Sequence, residues 1–200
     1  MSETVDYLPL HQASIAAAGC YVQEAFNPSQ ITADSPAIDA MTDLSRVASA
    51  TIESDATLEE ANQSMILRGV RLLLVVDGGG NRIIGVLTSA DVLGEKPLFI
   101  AQKRQTKRSD LRIVDVMVPV EQMEALGIEE VRKSRVGNVV ATLRVDGRAH
   151  ALVVGHDAQH RQVLVGIFSA TQIARQLGVQ IHTHEIARTF AEIEAVIAGI

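Results

Sequence analysis

The sequence predicts an α+β protein assembled from two copies of one small unit. Three observations carry that prediction. A motif set recurs along the chain, short apolar runs of strand length flank polar turns, and helical faces precede and follow those runs. Ile38-Asp39-Ala40-Met41 returns as Val114-Asp115-Val116-Met117. Gly85-Val86-Leu87-Thr88-Ser89-Ala90-Asp91 returns as Gly166-Ile167-Phe168-Ser169-Ala170-Thr171-Gln172, without its carboxylate.

Taken in order, Ala50-Thr51-Ile52 predicts a short strand in the first unit, whose counterpart near Ile128 to Val131 is diverged. Leu58, Ala61 and Met65, matched by Val136, Val139 and Leu143, share one face of a helix. Gly69 and Gly147 follow as helix stops. Leu73-Leu74-Val75-Val76 and Ala151-Leu152-Val153-Val154 predict strands, each leading into a polar turn. Gly78-Gly79-Gly80 reads as a hairpin turn, since it opens no helix. Second strands run from Ile83 to Leu87 and from Val163 to Phe168, and helices begin near Ser89 and Ala170. Units of this size bury too little alone and must pack on each other.

The expected organisation is an N-terminal extension at 1–37, a unit at 38–94, a basic connector at 95–112, a second unit at 113–178 and an amphipathic helix at 179–200. The connector carries Lys103, Arg104, Lys107 and Arg108, a solvated face or a phosphate-attracting one. Ile186, Phe190, Ile193 and Ile197 form the apolar stripe of the tail helix. That stripe would cover either the chain's own units or a partner.

Composition narrows the function. The net charge of −6 opposes phosphate neutralisation, and 3% aromatic residues leave little for base stacking, so nucleic acid is not the expected partner. No apolar run reaches a membrane span. Ala17-Ala18-Gly19-Cys20 resembles a lipoprotein box, but Glu3 and Asp6 precede it without Lys or Arg. The single cysteine, Cys20, fits a reducing, cytoplasmic setting and reads as a small apolar residue. His156 with His160, and His182 with His184, lack the companions of a metal site. No nucleophile–base pattern or phosphate loop is present, so an enzyme is not expected.

The Asp-x-Met motif, the helix ending at glycine, Val75-Val76-Asp77 and GVLTSAD together resemble the cystathionine-β-synthase (CBS) domain family. The resemblance spans roughly residues 38 to 178 and implies a stand-alone pair of CBS units, or Bateman module. Each unit would be a three-stranded sheet with two helices, the two packed about a pseudo-two-fold axis, and the pair would form a homodimer. It implies a regulatory module that binds an adenosine-bearing ligand between units: AMP, ADP, ATP, NAD or S-adenosylmethionine. By match to the family pattern, Asp91 would take the ribose hydroxyls and Thr88 would assist. Val86 and Ile52 would flank the adenine, and Arg71 would meet phosphate.

The chemistry is sound in itself. An ionised carboxylate offers two acceptor oxygens to the two hydroxyl donors of a ribose. Thr88-x-x-Asp91 is equally a helix capping box, as is Ser169-x-x-Gln172. Gln172 suits a diol poorly, so the second cleft, with Ser169, Gln172 and His150, is expected to be degenerate. The competing functions are an interaction module with empty clefts and a nucleic-acid-binding module.

Overall fold

The computed structural model describes residues 31–78, 82–179 and 186–198. The N-terminal extension up to residue 30 with Cys20, two of the hairpin glycines, and His182 and His184 lie outside the described residues.

The first unit comprises β1 (Thr42–Asp43), β2 (Thr51–Glu53), α1 (Leu58–Arg68), β3 (Leu72–Val76), β4 (Ile83–Thr88) and α2 (Ser89–Leu93). After α3 (Lys96–Arg104), the pattern repeats with α4 (Ile113–Val116), β5 (Val118–Pro119), β6 (Ala125–Gly127), α5 (Ile128–Lys133), α6 (Val136–Val145), β7 (His150–His156), β8 (Gln162–Ser169) and α7 (Ala170–Gln176). The tail helix is α8 (Ile186–Ala198).

Local chemistry explains the helix limits. Thr57 accepts from the Glu60 N–H while the Glu60 carboxylate accepts from the Thr57 N–H, so α1 starts in a complete capping box. It ends at Gly69 with φ of 64°, a left-handed conformation that glycine adopts without a Cβ penalty.

Each sheet has four strands, not the three that the resemblance implies: β2-β3-β4-β5 and β1-β8-β7-β6. The additional strand is exchanged. β1 of the first repeat pairs antiparallel with β8, and β5 of the second pairs antiparallel with β4. Glycine is what permits the exchange. A Cβ at Gly85 would stand 2.7 Å from the Val118 carbonyl oxygen and 2.8 Å from the Met117 sulfur. A Cβ at Gly166 would fall on the Met41 side chain. The methionine of each Asp-x-Met motif therefore lies over the glycine of the other repeat.

β3 is buried along its whole length because both its faces are covered. Leu73 and Val75 enter the first unit's core with Leu58, Ala61, Met65, Leu87 and Val92. Leu72 and Leu74 face the other unit and form an inter-unit cluster with Val86 and Leu152. The period of two along the strand separates these sets. The second unit's core holds Val136, Val139, Leu143, Val153, Phe168 and Ile173, joined by Ala37 and Ala40 from the first repeat's leading segment.

Two expectations change here. The strand sought near Ile128–Val131 is β6 at Ala125–Gly127, and Ile128 to Val131 begin α5. The link from β6 to α6, residues 128–135, is longer than its counterpart at 54–57, and the added turn buries Val131 in the core. The connector also contains an ordered helix. Ala101 of α3 packs into the first core, Arg104 ion-pairs with Asp115, and Arg108 donates to the Val92 carbonyl at 3.0 Å. Arg104 and Arg108 thus fasten the connector to the fold.

The tail helix settles on its own chain. Phe190 and Ile193 are buried in the second core, α8 packs on α7, and Arg144 of α6 ion-pairs with Glu194. Ile197 stays 40% exposed.

Candidate functional site

Two clefts open between the units, at the end of the sheets where β3 and β7 begin and β4 and β8 finish. They occupy equivalent places in the two repeats. The first, a cavity of about 310 Å³, is lined by Thr88 and Asp91 of the β4–α2 turn and by Arg148 and His150 at the start of β7. Leu72, Val86, Val118, Met123 and Leu152 form its apolar wall. These residues are drawn from the inter-unit cluster, so a ligand here would extend a packed apolar contact between the units.

Asp91 is firmly held. Its Oδ2 accepts from the Thr88 N–H at 3.0 Å and the Thr88 hydroxyl at 2.6 Å. Its backbone N–H donates to Thr88 Oγ1 at 3.3 Å, completing a capping box. Its Oδ1 accepts from Lys96 Nζ at 2.8 Å. Both capping and access to the cleft are therefore realised at one carboxylate. Each oxygen has two lone pairs. Oδ2 has both engaged and Oδ1 has one in reserve, so two incoming hydroxyls require Lys96 or the Thr88 hydroxyl to yield.

The second cleft, about 220 Å³, is lined by Ser169, Gln172 and Arg175 from the β8–α7 region and by Gly69, Val70, Arg71 and Leu72 before and within β3. The Ser169–Gln172 box is only half formed. Ser169 Oγ accepts from the Gln172 N–H at 3.4 Å, but the Gln172 side-chain oxygen accepts from the Thr42 hydroxyl at 3.1 Å. The exchanged β1 strand supplies Thr42 and draws the amide away from its own helix cap.

Of the residues singled out in sequence, Asp91, Thr88, Val86 and Arg71 line the first cleft, and Ser169, Gln172 and His150 line the second. Arg71 and His150 line both and form a shared wall. Ile52 is a correction. It pairs with Val75 and packs into the first unit's own core, away from both clefts. In a parallel pair the residues in register share a face, and Val75 faces inward.

Sequence reasoning missed Lys96, Met123, Glu124 and Thr189. Met123 and Glu124 precede β6, whose sequence has diverged from that of its counterpart β2. Thr189 is buried on the tail helix and reaches the first cleft only because α8 packs on α7. A larger groove of about 560 Å³ opens at the hairpin end of the sheets, but among the described residues Arg82 is the one charged residue lining it, and its walls are largely aliphatic.

Burial, reinforced by the Arg71 guanidinium, pushes the His150 imidazole down to about 4. The sign follows directly. Between pH 6.5 and 4 the unfolded chain binds a proton at this position and the folded chain does not. Stability is therefore full above pH 6.5 and declines as pH falls toward 4, by on the order of 2 kcal/mol from this group. Asp43, Glu60, Asp110, Asp115 and Asp157 are all held below their ordinary values and add their losses at lower pH. Urea unfolding between pH 6.5 and 4.5 should show the decline in wild type and a flatter profile in His150→Asn. Equal slopes would contradict it.

Among the described residues, no group of three or more His, Cys, Asp or Glu could hold a metal ion, and no helix is long and apolar enough to cross a membrane.

The family model for the CBS domain matches residues 30–97. No curated protein matches the chain in a sequence search. Among solved structures, the chain resembles an uncharacterized conserved protein from Pyrococcus horikoshii with a TM-score of 0.52 at 16% identity, over 76% of this chain and 99% of that one. It also aligns with a CBS domain pair solved in complex with 5′-methylthioadenosine and S-adenosyl-L-methionine (TM-score 0.48, 20% identity, 70% of this chain and 98% of that one). A third is CBSX2, solved in complex with AMP (TM-score 0.49, 18% identity, 70% and 94%). The CBS-domain model thus falls on the first unit, and the second unit repeats that unit's topology, with leading strands exchanged between them.

Proposed function

We propose that the first cleft binds an adenosine-bearing ligand and that the chain acts as a regulatory sensor, without turnover. One observation carries the reading: Asp91 and Thr88 stand at the mouth of an apolar cleft between the units. In this reading the base lies against Val86, Val118 and Met123, the ribose diol bonds to Asp91, and a phosphate meets Arg148 or Arg71. Adenine needs few polar contacts in such a wall, whereas the diol needs a carboxylate. A ligand contacting both units favours whichever arrangement of the pair it fits best. A partner protein or a second copy of the chain would read that arrangement.

Thermal unfolding with AMP, ADP, ATP, NAD and S-adenosylmethionine tests the proposal. A ligand at a hundredfold its dissociation constant adds about 2.7 kcal/mol. One or more of these ligands should raise the midpoint by several degrees, with one nucleotide bound per chain in the Asp91 cleft. No shift with any of them would favour an interaction module whose clefts serve only as packing.

Lys96 provides a finer test. It is 38% exposed, so its pair with Asp91 contributes under about 1 kcal/mol. Lys96→Ala should release Oδ1 and tighten adenosine binding roughly threefold. Weakened adenosine binding would mean that Lys96 contacts the ligand instead of competing with it.

A further inference from the structure

The second cleft differs from the first in charge balance. Among the described residues its lining contains Arg71 and Arg175 and neither Asp nor Glu, whereas in the first Asp91 and Glu124 balance Arg71 and Arg148. Its remaining polar side chains are the hydroxyls of Thr42, Ser49, Ser169 and Thr171, the amide of Gln172 and the imidazole of His150. The Thr42 hydroxyl takes up the Gln172 side-chain oxygen. Gln172 keeps its NH₂, a donor, and one lone pair of that oxygen. Arg175 enters none of the ion pairs formed among the described residues. Replacing the aspartate by glutamine has therefore done more than weaken a ribose site. It has left two guanidinium groups, one amide donor and several hydroxyls around a cavity of about 220 Å³.

From this lining we infer that the second cleft is an anion site that takes a phosphoryl group and has no requirement for a ribose diol. A guanidinium meets phosphate oxygens in a planar, bidentate fashion, and hydroxyls and the amide complete the donor set. A diol would find no carboxylate among these residues to take both of its hydroxyls. The inference goes beyond the reading proposed above, which gives a ligand to the first cleft alone. Arg71 borders each cleft, so an anion held in one alters the field felt by a ligand in the other.

The experiment titrates inorganic pyrophosphate into the full chain by calorimetry, at low and moderate salt. Wild type should bind it, more weakly as salt rises. Arg175→Ala should weaken binding by about tenfold, with Arg175→Lys between the two. Gln172→Glu, nearly isosteric, should abolish binding by placing a like charge in the cleft. In Asp91→Ala, pyrophosphate binding should persist and still depend on Arg175. ATP titrated into Asp91→Ala distinguishes a nucleotide-borne phosphate from a free one, since it binds there only if the cleft has room for the nucleoside.

Two results overturn the inference: no pyrophosphate binding by wild type at millimolar concentration, or binding that ignores Arg175 and Gln172. Neither bears on the first cleft. Neutral adenosine reports on that site separately, since its binding depends on Asp91 and not on Arg175.

Discussion

Gly85→Ala should destabilise the protein by on the order of 2–3 kcal/mol and lower its melting midpoint by about 5–10 °C. The reason is where the new methyl group would go. It would stand 2.7 Å from the Val118 carbonyl oxygen, which belongs to the backbone of the exchanged strand β5. A backbone atom cannot swing aside, so β5 must lift from β4. Val118 also lines the first cleft, and ligand affinity should fall with stability. Gly166→Ala makes an informative contrast. Its methyl group would meet the Met41 side chain, which can rotate, and the cost should be nearer 1 kcal/mol. Met41→Ala should relieve Gly166→Ala, while Met117→Ala should leave most of the Gly85→Ala defect in place. Denaturant melts of the four variants check this ordering, and equal relief of the two glycine variants would contradict it.

The second large effect is at Asp91. Asp91→Ala should cost about 1 kcal/mol in stability through the lost cap, and lower the affinity for adenosine by about a hundredfold. The two figures come from different partners of one carboxylate. Capping uses Oδ2, through the Thr88 N–H and hydroxyl. Diol recognition adds two charge-assisted hydrogen bonds that the capped state does not contain. Asp91→Asn separates the roles, because an amide oxygen can still cap but offers one acceptor where two are needed. It should retain most of the stability and lose most of the affinity. Equilibrium unfolding and adenosine titration on the same samples measure both. If the asparagine variant binds adenosine like wild type, Asp91 is a helix cap and nothing more.

The repeat was legible in sequence because both units solve the same folding problem with the same residue types. Apolar runs, glycine stops and the strand-to-helix turn are local signals, and the elements from α1 to β4 and from β7 to α7 lie where those signals put them. The turn carrying Thr88 and Asp91 was legible for the same reason. The exchange of leading strands was not. The repeat contains both Met41 and Gly166, but local pattern does not say which methionine covers which glycine, and only the tertiary pairing of β1 with β8 decides it. Ile52 was misplaced because an isolated apolar strand residue does not declare its face until its partner is known. Lys96 escaped notice because it lies in a stretch that read as connector, and its ion pair with Asp91 forms only after α3 folds back beside α2. Gln172 could be recognised in sequence as a poor diol acceptor. The engagement of its side-chain oxygen follows from Thr42, which is distant in the chain.

A crystal structure of the protein soaked with AMP would test the central claim most directly. The account predicts the ribose hydroxyls within hydrogen-bond distance of the Asp91 carboxylate, the adenine against Val86 and Val118, and Lys96 or the Thr88 hydroxyl turned away from its present position. AMP bound elsewhere, with Asp91 still closed on both Thr88 and Lys96, would contradict it.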